Sequence, residues 1–229
     1  MSNPLCVIIG VGPKNGAAFA ARFNDAGYRI ALLSRSTNFS EELASSLGDA
    51  RCYVCDVSDP ASVASAFSRL QAEMGDVDVL IYNAGGGSWQ TVDEITPDDF
   101  ERSWRVNALG ALVASQQIIP AMKQRGSGNI IIVGATASLR GRPKTTGFAA
   151  AKAAQRSLAQ SMAKHLGPLG IHVSLLIIDG SIASAGSAEA GIGERLDPQD
   201  IAELAHYLTT QPQSAWSFEV DVRPSKESW

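Results

Sequence analysis

Apolar residues in this chain follow two patterns that take turns along its length. Short, nearly continuous runs occupy positions 5–10, 29–33, 51–55, 77–82, 129–133, 173–178 and 218–222. Between them lie stretches whose apolar residues recur at helical spacing: 15–26, 41–47, 60–74, 97–124, 146–166 and 198–209. The continuous runs read as strands covered on both faces, and the periodic stretches as amphipathic helices. Strand and helix in this rhythm require right-handed crossovers between parallel strands. The expected fold is an α/β doubly wound parallel sheet of about seven strands with helices on both faces.

Several helix starts are marked. Asp59-Pro60, Thr96-Pro97 and Asp197-Pro198 each place a capping side chain before a proline suited to the first turn. No internal repeat, charge run or Pro-rich linker divides the chain, so residues 1–229 read as one domain. The segment 181–193 (SIASAGSAEAGIG) is rich in small residues. It reads either as an ordinary connection or as a mobile lid between the sixth strand and the last helix.

Composition narrows the class of protein. With 229 residues, 45% hydrophobic and 18% charged, the chain can bury one sizeable core. A net charge of −4 without basic clusters argues against nucleic acid or a membrane surface as partner. No run approaches the ~18 apolar residues that mark a membrane span, and the start Met-Ser-Asn-Pro lacks the basic region of a signal peptide. Cys52 and Cys55 form a C-x-x-C, but on a strand that spacing puts the thiols on opposite faces. Buried structural thiols are expected rather than a redox pair. His165, His172 and His206 are scattered without metal-ligand spacing. These features describe a cytoplasmic, reduced, metal-free protein acting on a small molecule.

Candidate chemistry begins where the first strand meets Gly10-Val11-Gly12-Pro13-Lys14-Asn15-Gly16. A tight turn of this composition lets backbone N–H groups approach a pyrophosphate at the positive end of the first helix, with Gly10, Gly12, Lys14, Asn15 and Gly16 as its cofactor-binding positions. Gly16 allows helix and strand to pack closely. About twenty residues on, the second strand ends at Ser34-Arg35. A carboxylate there would bind a ribose 2′-hydroxyl and repel a 2′-phosphate. Arg35 instead offers the phosphate a charge-assisted bond, and Lys14 a second positive charge. The cofactor expected is NADP(H) in preference to NAD(H).

Together these residues resemble the short-chain dehydrogenase/reductase superfamily, with its Rossmann-type fold. Gly10 to Gly16 matches the span of the family's TGxxxGxG motif, with Lys14 in place of the middle glycine. Asp56-Val57 is similar to its adenine-contacting Asp-Val pair. Tyr82-Asn83-Ala84-Gly85 matches NNAG with Tyr for the first Asn, and Asn107 falls on the helical asparagine of the family's proton relay. The family's catalytic signature is a serine followed about thirteen residues later by Tyr-x-x-x-Lys. This chain has Lys152, but Phe148 stands at the tyrosine position and Ala135 at the serine position. The resemblance is to an atypical subgroup with Phe in place of the catalytic Tyr.

The resemblance implies that Lys152 and Asn107 remain near the nicotinamide, with Lys152 holding its ribose. A missing general acid costs ~10²–10⁴-fold in rate. One reading is an oxidoreductase whose substrate is already activated, such as an iminium ion, or supplies its own proton, or whose acid is another group: Tyr82, Ser138, Asp179 or an ordered water near Asn107. The other is a catalytically deficient scaffold or regulatory protein that binds the dinucleotide. Helices 97–124 and 146–166 carry apolar residues on more than one face, and the family pairs such helices in homodimers or homotetramers.

Overall fold

The computed structural model describes residues 3–183 and 193–227. The strands among the described residues are β1 (Leu5–Ile9), β2 (Arg29–Ser34), β3 (Ala50–Val54), β4 (Val79–Tyr82), β5 (Gly128–Ala135), β6 (Ile171–Ile178) and β7 (Glu219–Val222). These seven form one sheet in the order β3-β2-β1-β4-β5-β6-β7. Every neighbouring pair is parallel. The central strands β1, β4 and β6 are buried throughout, whereas β3 and β7, at the edges, are partly exposed. This explains the nearly continuous apolar runs: a strand covered on both sides admits a polar side chain only where it finds a partner, as His172 and Ser174 of β6 do in the Ser217 carbonyl.

Helices α1 (Asn15–Asp25), α2 (Asn38–Ser45) and α7 (Pro198–Thr209) cover one face, where Phe19 and Phe23 meet Ile30, Ile81 and Ala205. Helices α3 (Pro60–Met74), α5 (Gly110–Arg125) and α6 (Thr146–Leu166) cover the other through Phe67, Ile118 and Leu166. The expected caps form. Asp59 accepts from the N–H of Ala61, Thr96 from that of Asp99 and Asp197 from that of Gln199. Cys52 and Cys55 contribute to opposite cores, and burial raises both thiols, Cys55 to about 11.

One expected helix is built in three pieces. Residues 97–124 form α4 (Pro97–Trp104), a π-turn (Arg105–Leu109) and α5. The wider turn sits where the rod passes the sheet. Gly110 follows it, and a Cβ there would run into the Tyr82 hydroxyl and into the Val57 carbonyl. Most of the candidate lid lies outside the described residues. Its base is held by Ala183 N donating to Leu196 O and Leu196 N to Ser181 O, each at 2.9 Å. Among the described residues no helix is long and apolar enough to cross a membrane.

Candidate cofactor and active site

Parallel registers align the carboxyl ends of β1, β2 and β4. The chain winds outward one way from β1 and the other way from β4, leaving a crevice between their ends. Gly10 turns there with φ +86, and a Cβ on it would stand 2.5 Å from Ala84 N. Only glycine satisfies both the positive φ and this approach. Asn83 ties the two ends together by donating from Nδ2 to Gly10 O at 2.8 Å. A Cβ on Gly16 would lie 2.8 Å from Val11 Cα, so the start of α1 presses directly on the turn. No side chain caps α1 and its first turn holds no acidic residue, leaving the positive helix end free for an anion. Asn15 is buried there with Oδ1 unpartnered.

A groove of about 1000 Å³ runs from this turn along the sheet rim. Gly10, Gly12, Ser34, Arg35, Asp56, Val57, Asn83, Ala84 and Gly85 line it, as does Val106 from the π-turn. A Cβ on Gly12 would meet nothing within 4 Å, so the space over the turn is open. The open cradle, the uncapped helix and the basic Arg35 fit a dinucleotide phosphate backbone. Asp56 accepts from the Ser58 hydroxyl at 2.7 Å and N–H at 2.9 Å. These bonds, with a lesser contribution from Arg35, hold its carboxyl below the usual range. Ser34 donates to Ser36 O at 2.8 Å. Lys14 is exposed beside the turn. Its Nζ donates to Ile182 O at 2.9 Å, which ties the glycine turn to the segment after β6.

Next to Gly85 lies the candidate catalytic cluster. Lys152 is buried, and its Nζ donates to Val133 O and Gln155 Oε1, both at 2.9 Å. Burial alone lowers this amine to about 7. Asn107 is fully buried in the π-turn, its Nδ2 donating to Gly86 O at 2.6 Å and Ser103 O at 2.7 Å while Oδ1 has no partner. Phe148 stands 5.9 Å from Lys152 Nζ, measured to the ring centroid, and Trp89 packs on it with centroids 5.4 Å apart. Gly87 lies so close that a Cβ on it would be 2.9 Å from Phe148 Cβ. Ala135 ends β5, opposite Ile178 of β6. Neither Phe148 nor Ala135 can donate a proton.

Of the substitute acids, the Tyr82 and Asp179 side chains are engaged elsewhere. Tyr82 points into the core between the sheet and α5, where its hydroxyl donates to Val106 O and burial raises it far above its normal range. Its phenol is therefore structural. Asp179 accepts from Thr136 Oγ1 and pairs with Arg223 at 3.2 Å and Arg140 at 3.8 Å, leaving neither oxygen free of a donor. The Ser138 hydroxyl is buried without a hydrogen-bond partner in the short turn after β5. Sequence reasoning missed Gln155 and Trp89. Gln155 had a signal, since three residues past Lys152 is the same helix face; Trp89 lies in a loop and had none.

The chain matches the short chain dehydrogenase family model over residues 5–191 and belongs to that family, whose cofactors are nicotinamide dinucleotides. Among its relatives is an uncharacterized oxidoreductase of Staphylococcus aureus strain N315, 28% identical over 228 residues that cover 98% of each protein. A short-chain dehydrogenase from Rhodopseudomonas palustris is 30% identical with a TM-score of 0.86, over 97% of this chain and 99% of that one. An alcohol dehydrogenase from the archaeon Thermococcus sibiricus, complexed with 5-hydroxy-NADP, is 26% identical with a TM-score of 0.86, over 96% of each.

Proposed function

We propose that this protein is an NADP(H)-dependent oxidoreductase working without the family's serine and tyrosine. The carrying observation is a complete cofactor groove beside a lysine that has been kept, buried and hydrogen-bonded, although its tyrosine partner is Phe148. The NADP preference rests on Arg35 and Ser34 at the end of β2, where no carboxylate competes for the ribose. The NADP analogue carried by the Thermococcus sibiricus enzyme is consistent with it.

Bound cofactor supplies or accepts a hydride. The chain's own residues then hold the reactants: backbone N–H groups of the glycine turn and Arg35 take the phosphates, and Lys152 and Asn107 take the nicotinamide ribose. Phe148 and Trp89 offer the substrate an apolar surface without a titratable group. An iminium carbon suits such a site, since hydride addition turns it into a neutral amine with no proton required. The lack of a positioned acid also favours a second reading, a dinucleotide-binding scaffold. Phe100 and Trp104, exposed one turn apart on α4, support a homodimer or homotetramer.

NADPH oxidation followed by absorbance, with a cyclic iminium and a matched ketone, tests the reading. Turnover of the iminium at least ~10²-fold above the ketone supports it. Tight NADPH binding with turnover of neither would transfer the argument to the scaffold.

A further inference from the structure

We infer that Gln155 is the positioning residue of Lys152, a carboxamide bridge that aims the lysine at the cofactor and ties it to the π-turn carrying Asn107. The inference rests on the reading that Lys152 holds the nicotinamide ribose.

Gln155 is 1% exposed, and both ends of its amide are used. Oε1 accepts from Lys152 Nζ at 2.9 Å, and Nε2 donates to the backbone carbonyl of Asn107 at 3.0 Å. The second bond sets the polarity of the first. With the amide reversed, its NH₂ would face the lysine's N–H groups and its oxygen the Asn107 carbonyl, so two bonds would become two repulsions. The bridge therefore has one orientation.

The lysine's geometry follows. In its protonated form the lysine carries three donors in fixed tetrahedral directions. Val133 O and Gln155 Oε1 take two of them, which fixes the third. A long four-carbon stem would otherwise let Nζ rotate and wander. Nζ and the unpaired Oδ1 of Asn107 lie 3.4 and 3.5 Å from one point, the position a Cβ on Gly85 would occupy. A donor and an acceptor thus flank the same small space beside the groove. A sugar hydroxyl, which donates one hydrogen bond and accepts others, suits both.

Gln155 is thus what lets two residues from different elements act on one hydroxyl although they do not bond each other. It carries no titratable proton, so its contribution is alignment.

A double-mutant cycle on cofactor affinity distinguishes alignment from plain packing. NADPH fluorescence titration is run on the wild type, Gln155→Met, Lys152→Met and the double variant, with circular dichroism as the check on folding. Gln155→Met keeps the length and volume of the side chain and removes both bonds. It should weaken NADPH binding by about ten-fold, the worth of one well-directed bond to a charged group. In the Lys152→Met background the same change should have no further effect, because the group it aims is gone. Losses that multiply across the two backgrounds would overturn the inference, as would an unchanged affinity in Gln155→Met beside a weakened Lys152→Met. An unchanged Lys152→Met would instead overturn the ribose reading itself, and the bridge with it. If Gln155→Met fails to fold, Gln155→Asn enters the same cycle; it keeps the amide but is one methylene too short to reach both partners.

Discussion

Lys152 Nζ lies 5.9 Å from the centre of the Phe148 ring, close enough for the ring's π-face to attract the ammonium. The lysine thus meets an aromatic ring where the family's signature has a phenol to acidify. Its other contacts, to Val133 and Gln155, do not depend on that phenol.

Restoring the missing hydroxyls should therefore restore ordinary chemistry. Phe148→Tyr adds one oxygen to a ring already packed against Trp89 and Gly87, and Ala135→Ser adds one at the end of β5. The double variant should gain ketone or alcohol turnover by ~10²-fold or more over a nearly inactive wild type. Steady-state assays with generic ketones measure this. An unchanged rate would show that the wall cannot present the new oxygens to a substrate and would favour the scaffold reading.

Cofactor choice should depend on Arg35. Because it is exposed on the groove wall, its contribution is screened by salt and should be measured at low ionic strength. A charge-assisted bond of about 1.5–3 kcal/mol corresponds to roughly ten- to a hundred-fold tighter binding of NADP(H) than NAD(H). Arg35→Ala should remove most of that difference in titration calorimetry. Equal affinities in the wild type would sink the assignment. Lys14 should contribute little, since it is engaged with Ile182.

Two glycines of the same turn should separate folding from binding. Gly10→Ala forces a Cβ to 2.5 Å from Ala84 N at a φ of +86, and should destabilise the protein by more than about 1 kcal/mol in urea. Gly12→Ala meets no protein atom within 4 Å. It should leave the urea midpoint unchanged and weaken NADPH binding, because its methyl enters the groove. A normal affinity for Gly12→Ala would mean that the pyrophosphate does not lie over this turn.

Lys152 should give stability a signature in pH. Burial lowers its amine to about 7 in the folded protein, against about 10.4 in an unfolded chain. Between these values the unfolded chain holds a proton that the folded one has released, so this lysine makes stability rise with pH. Below about 7 both states are protonated and the whole cost of burying the charge remains. Lys152→Met should therefore be more stable than the wild type near pH 6, with the gap narrowing towards pH 10. Urea midpoints across this range test it, and a gap that does not change with pH would contradict the lowered amine.

Much of this arrangement was legible in advance because burial leaves periodic marks. The runs in β1, β4 and β6 are almost wholly apolar because both faces are covered, His172 and Ser174 of β6 being the polar exceptions, and a carboxylate-free end of β2 shows up as Ser34-Arg35. Direction was harder to read than position. Tyr82 bears a hydroxyl at the right place in the chain, yet it shares a sheet face with Leu80, two residues earlier, and so points under α5. Lys14 could reach either a phosphate or a carbonyl, and nothing local decides between them. The π-turn was hidden because RVNALGAL continues the helical spacing on either side of it. What adjoins it is non-local: Gly110, just past the turn, packs closely on Tyr82 and Val57.

The knot at Asp179 bears on the order in which the molecule can be assembled. Its partners come from widely separated parts of the chain: Thr136 and Arg140 just after β5, and Arg223 just after β7. During synthesis the earlier strands emerge first. Until residues 219–223 leave the ribosome, Asp179 lacks Arg223 and its N–H lacks the Val222 carbonyl it meets at 2.8 Å in the finished sheet. The end of the sheet beside the active cluster is therefore completed last, and a nascent chain long enough to form the glycine turn still has this corner open.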